Sequence, residues 1–317
     1  MNDQASALRQ IVQNIKKQRT RAPGEGARIL CVTSGKGGVG KTSFTVNLAI
    51  SLAKKGLRVL IVDADFGLSN VDVVMGVTPQ YDLSHVVRGE ISVKDAIFDG
   101  PGGVRIVSGG SGVMELLKLS ETQLANIMDN LLLLDGIADI IIFDTGAGVT
   151  PNILQLVEAS EEVIVVTTPE PTAIMDAYAL VKTVTNHSEG SRTRLRLVVN
   201  KADSVTEARD TMAKFTAVVR LYLKIEVEEL GHLLADPVVS RSIRLQRPFM
   251  MSFPKSQAAK DIETITWKLM NLEPEQPPSG LRGFLSNLMR KGKQEPILLD
   301  PLAAEAPAEP PDDGEIN

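Results

Sequence analysis

Eight residues constrain this chain more than any others: Gly35-Lys36-Gly37-Gly38-Val39-Gly40-Lys41-Thr42. They lie between an apolar run, Ile29-Leu30-Cys31-Val32-Thr33, and an amphipathic stretch from Ser43 to Lys54. The order is strand, glycine-rich loop, helix. Glycines let the backbone take positive φ and come close to phosphate oxygens, so consecutive N–H groups converge on one anion. The helix that begins at the end of the loop adds the positive end of its dipole to the same spot. Lys41 supplies a mobile positive charge, the Thr42 hydroxyl is placed to ligate Mg²⁺, and Ser43 completes the first turn. The stretch matches G-x-x-x-x-G-K-T in full, with both flanking elements, and is read as a nucleoside-triphosphate site.

Around this loop the chain alternates in the βαβ manner. Short β-branched runs at 29–33, 59–62, 104–107, 140–143, 163–167 and 195–199 read as strands. Helical patterns at 43–55, 120–134, 151–158, 173–187, 207–223 and 256–272 lie between or after them. Strands alternating with helices predict an α/β fold, a three-layer P-loop NTPase whose mostly parallel sheet is covered on both faces. A chain of 317 residues has room for one large domain of this kind, assigned to 28–272.

The ends differ from the middle. Residues 1–20 contain Leu8, Ile11, Val12 and Ile15 at i, i+3, i+4 and i+7, an amphipathic helix joined to the domain by a linker at 21–27. After a proline-rich break at 273–279, residues 280–292 place Leu281, Phe284, Leu285, Leu288 and Met289 on one helical face, with Arg282, Arg290 and Lys291 off it. Two readings compete for this helix: docking on its own domain, or lying in a membrane interface. The spacer and the cationic polar face favour the membrane. Residues 293–317 carry one Lys against seven acids and read as a disordered acidic tail. No apolar run approaches the roughly 18 residues of a membrane span, and no signal peptide precedes the loop, so the expected compartment is the cytoplasm, with reversible attachment to the inner face of the membrane. The single Cys31 excludes a disulfide framework or a cysteine-ligated cluster within one chain.

Carboxylates at strand ends supply the remaining chemistry. The second strand ends in Asp63-Ala64-Asp65, where open α/β sheets bind ligands, although a cap or turn role is the plain alternative for either acid. The apolar strand 140–143 delivers Asp144, the Walker B arrangement that holds Mg²⁺, followed by Thr145-Gly146-Ala147-Gly148. Asn200 closes a further strand, and Asp236-Pro237 follows later. His85, His187 and His232 show no ligand spacing, and Arg241, Arg244 and Arg247 form a basic cluster read as a solvated or interfacial face.

The second lysine of the loop, Lys36, makes it K-G-G-x-G-K-T, which resembles the deviant Walker A motif of the MinD/ParA family of dimerising ATPases. The resemblance spans residues 28–272 and implies ATP and Mg²⁺ as cofactors. It implies that Lys36 reaches across a homodimer to the partner's nucleotide, that Asp63 lies beside the metal shell, and that Asp65 orients or deprotonates the attacking water. It puts Gly146 near the γ-phosphate, Asn200 at the adenine base as against a simple strand-end turn, and Asp236 in the same pocket. A site completed in trans predicts slow hydrolysis by the monomer and an ATP-dependent dimer that binds lipid.

Within the family, Asp3-Gln4-Ala5-Ser6-Ala7-Leu8-Arg9 is similar to the D-Q-A-x-x-L-R pattern of the flagellar-number regulators (the FlhG, FleN or YlxH branch). In that branch this helix activates the GTPase FlhF, and the match implies such a role for Asp3, Gln4, Leu8 and Arg9, with Gln4 entering the GTPase site. Basal-body proteins or a flagellar transcription regulator are further partners of the branch. The alternatives are a division-site positioning ATPase and a DNA-partition ATPase, the latter disfavoured by the net charge of −5.

Overall fold

The computed structural model describes residues 26–65, 70–109, 111–119, 121–187, 193–271 and 280–291. In chain order the strands are β1 (Arg28–Ser34), β2 (Val59–Ala64), β3 (Ile97–Asp99), β4 (Val104–Val107), β5 (Ile140–Ala147), β6 (Glu162–Thr167), β7 (Arg194–Ala202) and β8 (Glu228–Leu234). The helices are α1 (Lys41–Lys54), α2 (Asn70–Met75), α3 (Leu83–Val87), α4 (Val93–Ala96), α5 (Gly112–Lys118), α6 (Glu121–Ile137), α7 (Pro151–Ala159), α8 (Pro171–His187), α9 (Val205–Leu223), α10 (Pro237–Arg244), α11 (Phe249–Ser252), α12 (Gln257–Asn271) and α13 (Gly280–Lys291).

The strands form one sheet in the order β3-β4-β2-β5-β1-β6-β7-β8. Only β3 runs antiparallel, against β4. Every residue of β1, β2 and β6 is buried, as expected where helices cover both faces of a parallel sheet. The period of two sorts the side chains. Leu30 and Val32 join the layer under α1 and α12, whereas Ile29 faces α6 and α13 and Cys31 faces α7 and α8. Each predicted strand and helix of the domain is present, with ends moved by a few residues. The sequence reading overlooked β8 and β3. β8 is an edge strand whose residues Glu228, Glu229 and His232 interrupt its apolar pattern, and β3 has three residues.

The end of the sheet opposite the loops is tied by charge. Arg28 on β1 grips Glu162 on β6 with two bonds of 2.6 and 2.7 Å, and its third nitrogen reaches the Leu269 carbonyl at 3.1 Å. Arg196 on β7 also bonds Glu162, and donates to Glu228 on β8 at 2.9 Å. Burial works against ionisation of Glu162, but the two guanidinium groups outweigh it and hold its carboxyl below the usual range.

In this structure the C-terminal helix takes the first of its two readings and docks on its own domain. Leu281, Phe284, Leu285 and Leu288 are 2–6% exposed and belong to the core cluster with α6 and α7. Phe284 stacks on Phe143 with ring centroids 4.6 Å apart. The physical reason is a ready apolar seat: β5 ends beside an apolar groove into which these side chains pack. Met289 has no described side-chain environment. Asp135 joins the start of the domain to the C-terminal helix at this seat, accepting from Ala27 N–H at 3.0 Å and Leu281 N–H at 2.9 Å. The expected helix at 1–20, most of the linkers at 21–27 and 273–279, and the acidic tail at 293–317 lie outside the described residues.

Glu162→Gln should destabilise the fold by about 3 kcal/mol at neutral pH, because two buried arginines lose their shared charge. Since the folded carboxyl titrates below its unfolded value, the wild-type advantage is full above the unfolded value and shrinks as pH falls through the folded one. Urea unfolding of both proteins across that range tests this. A gap that stays constant into acid would contradict it.

Candidate active site

The carboxyl ends of the parallel strands converge on one edge of the sheet, and β1 lies at its centre with chain connections leaving to both sides. Open α/β sheets bind ligands at such a switch point. A cleft of about 810 Å³ opens there, lined by Gly37 to Ser43, Asp65, Asn70, Asn200, Lys201 and Leu234 to Pro237, with Val239, Ser240 and Ile243.

The loop after β1 is held in an anion-binding shape from behind. Gly38 and Gly40 take φ of 77° and 91°, values that L side chains rarely adopt. Turning the loop N–H groups into the cleft turns carbonyls outward, and these are satisfied by β7. Asn200 Nδ2 donates to the Val39 carbonyl at 2.7 Å, and Lys201 Nζ donates to the Gly38 carbonyl at 2.7 Å. A Cβ on Gly40 would lie 2.5 Å from Asn200 Nδ2, so this approach requires glycine. Asn200 thus braces the phosphate loop while lining the cleft. Lys201 was missed by sequence reasoning; its left-handed φ of 58° is invisible in the residue type.

Lys41 and Asp144 lie at the heart of the site. Asp144 is fully buried, and Lys41 Nζ stands 3.7 Å from its Oδ1. Thr42 donates to Asp144 Oδ2 at 2.7 Å. This is the predicted pairing of the Walker residues. Among the described residues no group of three or more His, Cys, Asp or Glu side chains gathers to hold a metal. The oxygen donors of Thr42 and Asp144 nevertheless suit a hard cation such as Mg²⁺, which takes few protein ligands and completes its shell with water and phosphate.

The two acids at the end of β2, Asp63 within it and Asp65 just after it, have separate tasks. Asp63 sits opposite Asp144 in the strand register, yet its oxygens accept the N–H groups of Asp65 and Val71 at 3.1 Å each. It therefore ties Asp65 and the start of α2 to the end of β2. Burial and the charge of Asp144 push its carboxyl up to about 7, against the pull of those two N–H groups. Asp65 instead lines the cleft, where Asn70 Nδ2 donates to its Oδ2 at 2.7 Å. A Cβ on Gly146 would meet Asp65 Oδ1 at 2.9 Å, so Gly146 gives that carboxylate its room. Asn70 is a second residue that sequence reasoning did not single out.

Lys36 points away from its own cleft. Its ammonium bonds Glu170, on the loop after β6, at 2.9 Å and Thr172, in the first turn of α8, at 2.7 Å, and holds the Glu170 carboxyl below its usual range. Asp236 lines the cleft but has both oxygens engaged, with Val238 N–H at 3.0 Å and Ala258 N–H at 3.1 Å. It caps α10 and positions the cleft wall. Asp3, Gln4, Leu8 and Arg9 lie outside the described residues.

Comparison with known proteins agrees with this geometry. The ParA family model, described as NUBPL iron-transfer P-loop NTPase, matches residues 26–270. The antiactivator FleN of Pseudomonas aeruginosa is 38% identical over 264 residues, covering 83% of this chain and 94% of that protein. The flagellum site-determining protein YlxH of Helicobacter pylori is 33% identical over 299 residues, covering 92% and 99%. Among solved structures, the septum site-determining protein MinD of Pyrococcus horikoshii, complexed with Mg-ADP, superimposes with a TM-score of 0.62 at 25% identity, covering 78% of this chain and 97% of that one.

Asn200→Ala should weaken ATP and ADP alike by about 1–2 kcal/mol, roughly five- to thirtyfold, because the Val39 carbonyl loses its partner and the loop relaxes. Titration calorimetry with both nucleotides checks it. Unchanged affinities would show that the loop holds its shape without β7.

Proposed function

The chain belongs to the ParA/MinD family of P-loop ATPases, and from that premise we propose that it regulates flagellar number and placement as an ATP-dependent homodimer. It binds ATP with Mg²⁺ and hydrolyses it to ADP and phosphate. The observation that carries the dimer is the outward direction of Lys36. The cleft has its own cation in Lys41, while a second loop lysine waits on the rim, held by Glu170 and Thr172. A second copy facing the first is the partner that gives Lys36 a phosphate to reach.

The geometry accounts for the chemistry. The loop N–H groups and Lys41 neutralise the phosphates, Thr42 and Asp144 hold the cation, and Asp65, steadied by Asn70, receives the attacking water. When bound, Mg²⁺ supplies charge neutralisation at the phosphate oxygens. Lys36 of the facing copy adds the last cation, so hydrolysis by one subunit alone is slow and turnover ends the dimer.

The chain ends are the outputs. In this reading the helix at 280–292 leaves its seat in the ATP-bound dimer and lies in the membrane interface, the doubled helix giving avidity that one copy lacks. The helix at 1–20 stimulates an FlhF-type GTPase, Gln4 orienting the attacking water there. The regulator reading is favoured over a division-site ATPase by this helix, and over a DNA-partition ATPase by the acidic balance.

Adding a peptide of residues 1–20 to an FlhF-type GTPase should raise GTP hydrolysis several-fold, and Gln4→Ala should remove the effect. Equal stimulation by both peptides would take Gln4 out of the mechanism. The full chain should co-sediment with anionic liposomes in ATP and remain in solution in ADP. Equal binding in the two nucleotides would end the switch.

A further inference from the structure

Thr45 lies one turn into α1, with no exposure to solvent. Its hydroxyl is 2.7 Å from Asp144 Oδ1 and 3.1 Å from the Lys41 carbonyl. A hydroxyl has one proton to give, and the nearer, ionised oxygen is the stronger acceptor, so the bond goes to Asp144. Thr42 and Thr45 stand three residues apart on one helical face and take one carboxylate oxygen each: Thr42 on Oδ2, Thr45 on Oδ1. They are not equivalent. Thr42 lines the nucleotide cleft and Thr45 does not.

This asymmetry matters when a cation is present. A Thr42 hydroxyl turned toward a metal no longer restrains Asp144. The carboxylate would then answer to Lys41, whose ammonium stands 3.7 Å from Oδ1 and whose charge is needed at the phosphates. We propose that Thr45 is a positioning residue for the metal: by holding Oδ1 it keeps Oδ2 turned to the cation and Lys41 free for the nucleotide. Partners of metal-bound carboxylates act in this way, and their loss costs metal affinity about ten- to a hundredfold. No G-K-T motif includes this position, and only the fold brings it to Asp144. The inference rests on the Mg-ATP reading of the cleft.

The test uses the full chain and a fluorescent ATP analogue, titrated with Mg²⁺ and in its absence. In wild type, Mg²⁺ should tighten binding; if it does not, the Mg-ATP reading itself fails. Thr45→Val keeps the branched shape and deletes the hydroxyl. It should raise the Mg²⁺ concentration for half-maximal tightening about tenfold or more, with metal-free affinity unchanged. Thr45→Ser, which restores the hydroxyl, should return close to wild type. Should the valine variant lose its thermal transition, Thr45→Ala asks the same question with a smaller side chain. A normal Mg²⁺ requirement in the folded, hydroxyl-free variant overturns the proposal. So does an equal loss of metal-free and metal-dependent binding, which would mark Thr45 as a packing residue.

Discussion

A carboxylate without access to water needs compensation on every side, and Asp144 receives it from the phosphate loop and the helix behind it. Burying such a charge unpaired would cost several kcal/mol. Lys41, Thr42 and Thr45 surround it, all carried by the first turns of α1. The loop, α1 and β5 are therefore interdependent: the glycines aim α1 at the end of β5, and the charge on β5 holds α1 there. The cleft is built outward from that contact. Asp65 arrives from β2 on one side, and Asn200 and Lys201 brace the loop from β7 on the other.

The same strand end links the cleft to the C-terminal helix. Phe143 precedes Asp144, points to the opposite face of the sheet by the alternation of a strand, and stacks on Phe284. One residue thus touches the nucleotide machinery while its neighbour forms the seat of α13. Asp135 brings the start of the domain to the same seat through Ala27 and Leu281. Ala27 and Leu281, far apart along the chain, therefore lie side by side.

Much of this was legible in the sequence because its signals are local. The loop, the strands flanking it, and Asp144 at the end of an apolar run depend on residues close in the chain, and the structure has them as read. What escaped depends on distant partners. Thr45, Asn70 and Lys201 acquire their roles only when the fold sets them beside Asp144, Asp65 and Gly38. Asp63 shows a finer limit: the strand register brings it to the metal side, but two backbone N–H groups determine its contacts. The amphipathic pattern of 280–291 was correctly seen as one apolar face, yet hydrophobic spacing is the same whether that face meets lipid or protein. Its partner in this structure, the groove beside Phe143, is assembled from strands and helices spread along the chain from Val62 to Leu156.

The central claim is that the catalytic centre is shared between two copies, Lys36 of one serving the nucleotide of the other. Mixing two inactive proteins, Lys36→Ala and Asp65→Ala, with ATP and Mg²⁺ measures it directly. In a mixed pair, the Lys36→Ala subunit keeps its own Asp65 and receives Lys36 from its neighbour, so hydrolysis should reappear on mixing. A mixture as silent as its components would mean that Lys36 serves its own subunit, and the shared site would be wrong.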